Sequence, residues 1–314
     1  MFGKFMNNYY YGKSSDKGDY TKEDLPTTRW QLFWEMLRVR FANLFRLNLL
    51  YMIIWLPAML VMVLGALSIL TGLLGEDGNL VANAYELLHA YVQSTLLWLI
   101  PAIAITGIAT PGIAYVTRNW SRDEHAFLWS DFKDAVKENW KQGLLVSLVT
   151  GFLPMAIYVG WFFYGDMAAS NPIMIIPQVL LVMIGLVWSL AVTYMYPLMV
   201  SYKLKMKDLL RNALLLAIAR LPQSVGIRLL HCVPMAIALL LAFFLVNPVY
   251  CVLGLFGYYF LLGFSLSRFV TASYTNAVFD KYINSRIEGA VVNRGLNTEA
   301  DDDFDEEDEQ EEQE

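Results

Sequence analysis

A chain of 314 residues is long enough for two ordinary water-soluble domains, yet 57% of its residues are apolar and only 17% are charged. Soluble chains carry roughly 45–50% apolar and about 25% charged residues, so a soluble monomer of this composition could not cover its surface with polar groups. The formal net charge of −6 joins two unlike parts: residues 299–314 hold 12 acidic side chains, and the rest carries 23 basic groups against 17 acidic ones.

Taken in chain order, residues 1–28 are polar and rich in Gly, Ser, Lys and Asp, which predicts a polar N-terminal segment without a cleavable signal peptide. Six apolar stretches follow, at 47–72, 88–117, 142–165, 174–200, 228–246 and 249–268. Each matches the ~20 residues a helix needs to cross the hydrocarbon core. Residues 29–290 are therefore expected to form an all-α membrane domain of six transmembrane helices. Residues 291–314 are expected to be a disordered acidic tail, because so dense a like-charge block repels itself and has little apolar surface to bury.

Basic residues set the expected orientation. The N-terminal segment holds eight, the connection between spans two and three five, that between spans four and five six, and the C-terminal segment four. The three alternate loops contain none. The positive-inside rule then predicts a multi-pass protein of the bacterial cell membrane with both termini cytoplasmic.

Short outer loops predict three hairpins, one with two, three with four, five with six. An amphipathic stripe precedes each hairpin and suits the membrane interface. The first is Trp30, Phe33, Trp34, Leu37, Phe41 and Leu44; the second Trp129, Phe132, Val136 and Trp140; the third Met206, Leu209, Leu210, Ala213, Leu214 and Ala217. Pro57, Pro154 and Pro234 follow the starts of these stripes by 27, 25 and 28 residues, and Pro-Met-Ala-Ile recurs at 154–157 and 234–237. The recurrence suggests three tandem repeats. A fourth stripe, Val270, Tyr274, Ala277 and Val278, is expected to close the array.

The chain has no His-Glu-x-x-His, no Gly-x-Ser-x-Gly and no phosphate loop. No Asp, Glu, Lys or Arg lies near the middle of a span, the nearest being Glu86, with His89 beside it, and Arg228, with His231 beside it. A non-enzyme is expected, without cofactor, metal or nucleic-acid partner. His231 is expected to be a packed or hydrogen-bonded histidine, and Cys232 and Cys251 to be free thiols.

Span two is unusual. Thr106 and Thr110 lie four residues apart on one face beside Pro111, with Gly107 and Gly112 adjacent. One reading is a broken helix lining a polar pathway, with Asn48 and Gln178 as further polar groups. The favoured reading is a close helix–helix contact made by small residues, with the threonines bonding freed carbonyls. The polar run Arg118–Lys133 also has two readings. Ser121 and Glu124 have capping-box spacing and Ser130 can cap the following helix; alternatively Arg122, Asp123, Glu124 and His125 form a docking surface for a cytoplasmic partner.

The run from Arg118 to Trp140, with its Asp-Glu-His-Ala-Phe-Leu-Trp-Ser-Asp-Phe-Lys core, resembles the YesL-like family of bacterial membrane proteins, whose function is unknown. Trp30 to Glu35 and Leu47 to Tyr51, followed by Pro57, are similar to it as well, so that the resemblance spans roughly residues 28–220. Members are often encoded beside sugar-uptake ABC permeases and two-component regulators. The resemblance implies an accessory role in carbohydrate uptake, with ABC permease or ATPase subunits, or a membrane sensor, as partners besides the lipid bilayer. The competing expectation is a facilitator or channel for an uncharged small solute.

Overall fold

The computed structural model describes residues 26–74, 79–244 and 247–297. The acidic run 299–314 and nearly all of the segment 1–28 lie outside the described residues. In chain order the helices are α1 (Arg29–Gly72), α2 (Ala84–Trp120), α3 (Ser130–Ser170), α4 (Ile175–Ser201), α5 (Met206–Ala219), α6 (Leu221–Phe244), α7 (Pro248–Tyr258) and α8 (Phe264–Tyr282). A 3-10 turn, Pro172–Met174, leads into α4, and a π-helical turn, Tyr259–Gly263, joins α7 to α8 in one run. Among the described residues the only β-type pairing is an isolated bridge between Leu74 and Leu80. Among the described residues six units are long and apolar enough to cross a membrane: α1, α2, α3, the turn with α4, α6, and the α7–α8 run. This is an all-α membrane protein, its backbone groups satisfied within helices as hydrocarbon requires.

Two of the three expected interfacial helices are not separate elements. The first stripe is continuous with its span in α1, 44 residues long, and the second with its span in α3, 41 residues long. Nothing between stripe and span breaks the backbone ladder there, so continuing the helix leaves no orphaned amide or carbonyl. The third stripe is separate, since α5 ends at Ala219 and α6 starts at Leu221. Pro222 accounts for the break: it cannot donate back into α5, and it disfavours helical backbone just before it. Length still recurs, because α5 and α6 contribute 14 and 24 residues around Arg220. Pro57, Pro154 and Pro234 all sit inside the long helices.

The faces differ from the stripes. On α1, Leu32, Met36, Leu44 and Leu47 are buried, whereas Trp30, Trp34 and Phe41 are exposed. The interior takes the aliphatic face, and the amphipathic indole rings stay at the outer surface that suits them. On α3, Phe132 and Ala135 turn inward while Trp129 and Trp140 are exposed. Only on α5 does the stripe coincide with the packed face, through Leu209, Ala213 and Ala217. On α8, Phe269, Ala272, Asn276, Val278 and Phe279 are buried, so of the fourth stripe only Val278 is wholly enclosed.

The tightest association is between α2 and α3, which belong to different expected hairpins. A Cβ on Gly107 would collide with the Gly143 carbonyl oxygen, and one on Gly143 with the Gly107 oxygen. A Cβ on Gly112 would collide with the Phe132 ring, and one on Gly151 would press tightly on the Ile100 carbonyl at 3.1 Å. Absence of side chains lets the two backbones approach closely, as dispersion-driven association in lipid favours. The expected hairpin contacts also form: Gly65 faces Thr95 between α1 and α2, and Gly160 faces Leu181 between α3 and α4. The third hairpin is peripheral, with Ser224 the only fully buried residue of α6 and none in α7.

Two cores fill the end of the bundle where the basic connections meet. One joins Leu44, Leu47, Tyr51, Ile113, Trp120, Phe132 and Phe269 from α1, α2, α3 and α8. The other joins Tyr194, Leu198, Leu209, Ala213 and Phe279 from α4, α5 and α8.

The acidic tail was expected from residue 291, but residues 291–297 fold onto this end. Leu296 is buried, the Asn293 amide donates to Asp280 Oδ2 at 3.1 Å, and the Asn297 amide donates to the Pro26 carbonyl at 3.1 Å. Segment 291–297 carries one charge, Arg294, so it lacks the self-repulsion that begins at Glu299.

Candidate functional site

At the basic end, the last turn of α2 runs into a loop that returns on itself. Trp120 is buried and its Nε1 donates to the Ala126 carbonyl at 3.3 Å, pinning the loop from below. Asp123 takes a left-handed backbone conformation with φ 55°. Aspartate is among the few residues that tolerate this region, and the conformation ends the helix as a C-terminal turn. Ser121 makes no capping box with Glu124. Its hydroxyl instead donates to the Arg118 carbonyl at 2.9 Å and accepts from Asn276 Nδ2 at 2.8 Å, tying the loop to α8. Ser130 does not cap α3 either; Asp131 Oδ2 accepts from the Phe127 amide at 2.9 Å. Among the described residues the capping box is Thr28 with Gln31, at the start of α1.

The structure divides the four candidate docking residues. Arg122 and Glu124 turn inward: Arg122 is buried, and Glu124 pairs with Arg294 and approaches Arg122 at 3.9 Å. Asp123 and His125 turn outward, Asp123 lying 3.8 Å from Arg40 on α1. His125 meets Phe127 edge to face at 4.6 Å, and Phe127 and Trp129 are both exposed.

Beneath the loop lies a cleft of about 190 Å³, lined by Arg118, Arg122, Ser201, Tyr202, Phe279, Asn284, Ala290, Val291 and Arg294. Two of its lining residues, Tyr202 and Asn284, end a polar chain that sequence reasoning missed. Arg29 Nη2 donates to Asp280 Oδ2 and, at 2.7 Å, to Asn293 Oδ1. Asn284 Nδ2 donates to Asp280 Oδ1 at 2.6 Å, and the Tyr202 hydroxyl donates to Asn284 Oδ1 at 2.7 Å. Burial, assisted by nearby Asp280, pushes the Tyr202 phenol up to about 12, so it stays a neutral donor. These residues are up to 264 positions apart in sequence, so no local spacing joins them.

The candidate pathway residues lie elsewhere, inside the α1–α2–α3–α4 contact. Thr106 and Thr110 are each 1% exposed, and Pro111 is buried beside them. Thr110 donates to the Thr106 carbonyl at 2.8 Å and shares a 2.7 Å hydrogen bond with the Tyr51 hydroxyl; Thr106 donates to the Ile103 carbonyl at 2.7 Å. Asn48 braces the π-helical turn, its Nδ2 donating to the Tyr259 and Phe260 carbonyls at 2.9 and 2.8 Å while its Oδ1 accepts from the Ser265 amide at 2.9 Å. Gln178 donates to the Trp161 carbonyl at 2.9 Å. The structure thus spends all four polar groups on internal hydrogen bonds.

His231 Nε2 donates to the Ser267 carbonyl at 3.1 Å, between α6 and α8. Arg228 of α6 donates to the Ser189 carbonyl and to Thr193 Oγ1 of α4. Cys232 and Cys251 are free thiols.

No curated protein and no solved structure matches the chain. Residues 89–161, which comprise most of α2, the returning loop and most of α3, are similar to the family described as protein of unknown function, DUF624.

Proposed function

We propose that this protein is a non-enzymatic membrane accessory component that presents its basic end, on the cytoplasmic side, to a carbohydrate ABC uptake system or its sensor. One observation carries the reading: the outward half of the returning loop is exposed while its inward half is fixed. Asp123, His125, Phe127 and Trp129 face outward. Below them Trp120, Arg122 and Glu124 hold the backbone through Ala126, Arg294 and the end of α2. A rigid loop with exposed aromatic and ionisable groups fits partner recognition, since little ordering entropy is lost on docking. The similarity of residues 89–161 to a family of unknown function is compatible with the YesL-like resemblance, and that resemblance supplies the carbohydrate-uptake context. A solute pathway through Thr106 and Thr110 has less support, because both hydroxyls are sealed in a helix–helix contact.

The test is affinity purification from native membranes in mild detergents. Permease, ATPase or sensor subunits should be recovered, and the double variant His125→Ala, Phe127→Ala should lose them while remaining folded. Recovery of the protein alone in every detergent would overturn the reading, as would undiminished recovery with the double variant.

A further inference from the structure

The cleft beneath the loop gathers three guanidinium groups, of Arg118, Arg122 and Arg294, around the single carboxylate of Glu124, which pairs with Arg294 and lies 3.9 Å from Arg122. Arg122 is 8% exposed, and its Nε has no hydrogen-bond partner among the described residues. Arg118 Nε is likewise buried and unpartnered, as is Ser201 Oγ, and all three groups line the same cleft. Arg118 and Arg122 also repel one another, which Glu124 offsets only in part, and Arg118 Nη1 reaches no closer acceptor than the Val200 carbonyl at 3.5 Å. The nearby carboxylates are largely committed elsewhere: Asp280 to Arg29, Asn284 and Asn293, and Glu124 chiefly to Arg294. Gathering three guanidiniums around one carboxylate with two of them withdrawn from water is costly, and leaving their Nε–H groups unbonded adds to the cost.

We propose that this cleft, walled by Arg118, Arg122, Arg294 and Ser201, is a binding site for a phosphate-bearing anion. The donor set suits that chemistry, because guanidinium forks match phosphate oxygens in bidentate geometry and a serine hydroxyl adds a further donor. Size restricts the ligand. At about 190 Å³ the cleft lies below the range of drug-sized ligand pockets, roughly 300–1,000 Å³, and admits a phosphate group rather than a large organic body. Its place at the ends of α2, α4 and α8 is the level of a lipid headgroup, so the phosphate has two sources, an anionic lipid or a soluble phosphate compound. The site is distinct from the outward docking surface and does not depend on what binds there.

Both sources are tested on the full-length protein. Inorganic phosphate is titrated calorimetrically in detergent against sodium chloride of matched ionic strength. Thermal unfolding is followed in nanodiscs of phosphatidylcholine alone or with phosphatidylglycerol. Saturable binding of phosphate identifies a soluble ligand; stabilisation confined to phosphatidylglycerol discs identifies a headgroup; either supports the proposal if the arginine variants lose it. Arg122→Gln should abolish the response, and Arg294→Gln should weaken it about tenfold or more, as removal of one charge-assisted hydrogen bond implies. The Arg294 side chain is 45% exposed, so that variant carries the test if Arg122→Gln does not fold. Silence of the wild-type protein to both probes would overturn the proposal, as would equal responses from wild type and Arg294→Gln. A response seen only after cutting the chain behind Asn297 would overturn it too, assigning the cleft to the protein's own acidic tail.

Discussion

At the scale of single residues, Asn48 and Tyr202 show how one side chain holds a feature with no local support. The π-helical turn at Tyr259–Gly263 departs from the regular ladder, and Asn48, wholly buried, bonds two of its carbonyls and the Ser265 amide. Asn48→Leu removes three hydrogen bonds and orphans their partners. It should cost roughly 1–3 kcal/mol, read as a lowered Tm, with hydrogen exchange rising first around 259–265. Tyr202 yields a pH prediction. Its folded pKa of about 12 lies above the ordinary value of about 10. Between those values the folded state binds more protons than the unfolded, so the contribution of Tyr202 is complete below about pH 10 and falls as pH rises towards 12. Tyr202→Phe should therefore lower stability at neutral pH, by losing the bond to Asn284, and flatten its decline over that alkaline window. Equal alkaline slopes for wild type and variant would refute the assignment. Neither role was legible beforehand: Asn48 reads in sequence as one polar residue in an apolar span, and its partners lie more than 200 positions away.

At the scale of elements, sequence reading succeeds where the signal is carried by composition over a whole helix. The six spans, the three prolines and the α5 stripe are of this kind. It fails where a contact selects between two plausible faces. The aromatic stripe of α1 and the buried Leu32–Met36–Leu44 line are both helical periodicities, and only the neighbouring α2 and α8 decide which is interior. It also fails where a short motif recurs by chance: Ser121 with Glu124 and Thr28 with Gln31 share one spacing, yet only the second caps a helix. The α2–α3 contact lies between these cases. Its glycines are visible, and the preference for packing over a polar pathway follows from base rates, but the Gly107–Gly143 pairing needs the fold. A Cβ at position 143 must move the Gly107 backbone, not merely a side chain. Gly143→Val should cost about 1–3 kcal/mol or more by overpacking. Gly226→Ala, at an open site on α6, should change little. A thermal-unfolding comparison of the two in the same detergent separates packing from a general intolerance of glycine replacement.

At the scale of the whole molecule, the chain is closed by segments distant in sequence. Arg29 opens α1, Asp280 lies near the end of α8, and residues 293–297 return to both, so the described chain is stitched start to finish at its basic end. This arrangement locates the boundary between fold and tail. A chain ending at Thr298 keeps every contact described for residues 291–297 while shedding 12 carboxylates. A chain ending at Glu288 loses the Asn293 bonds to Asp280 and Arg29, the Arg294–Glu124 pair, the Asn297–Pro26 bond and the burial of Leu296. Burial of one leucine is worth roughly 2 kcal/mol, and each hydrogen bond about 1 kcal/mol. The exposed ion pair contributes little. Cutting at Glu288 should therefore lower stability by roughly 3–5 kcal/mol, while cutting at Thr298 should leave Tm and membrane insertion unchanged. A Tm loss already present in the Thr298 chain would place part of the fold within the acidic run. Indifference to the Glu288 cut would mean that the packing of 291–297 contributes nothing to closure.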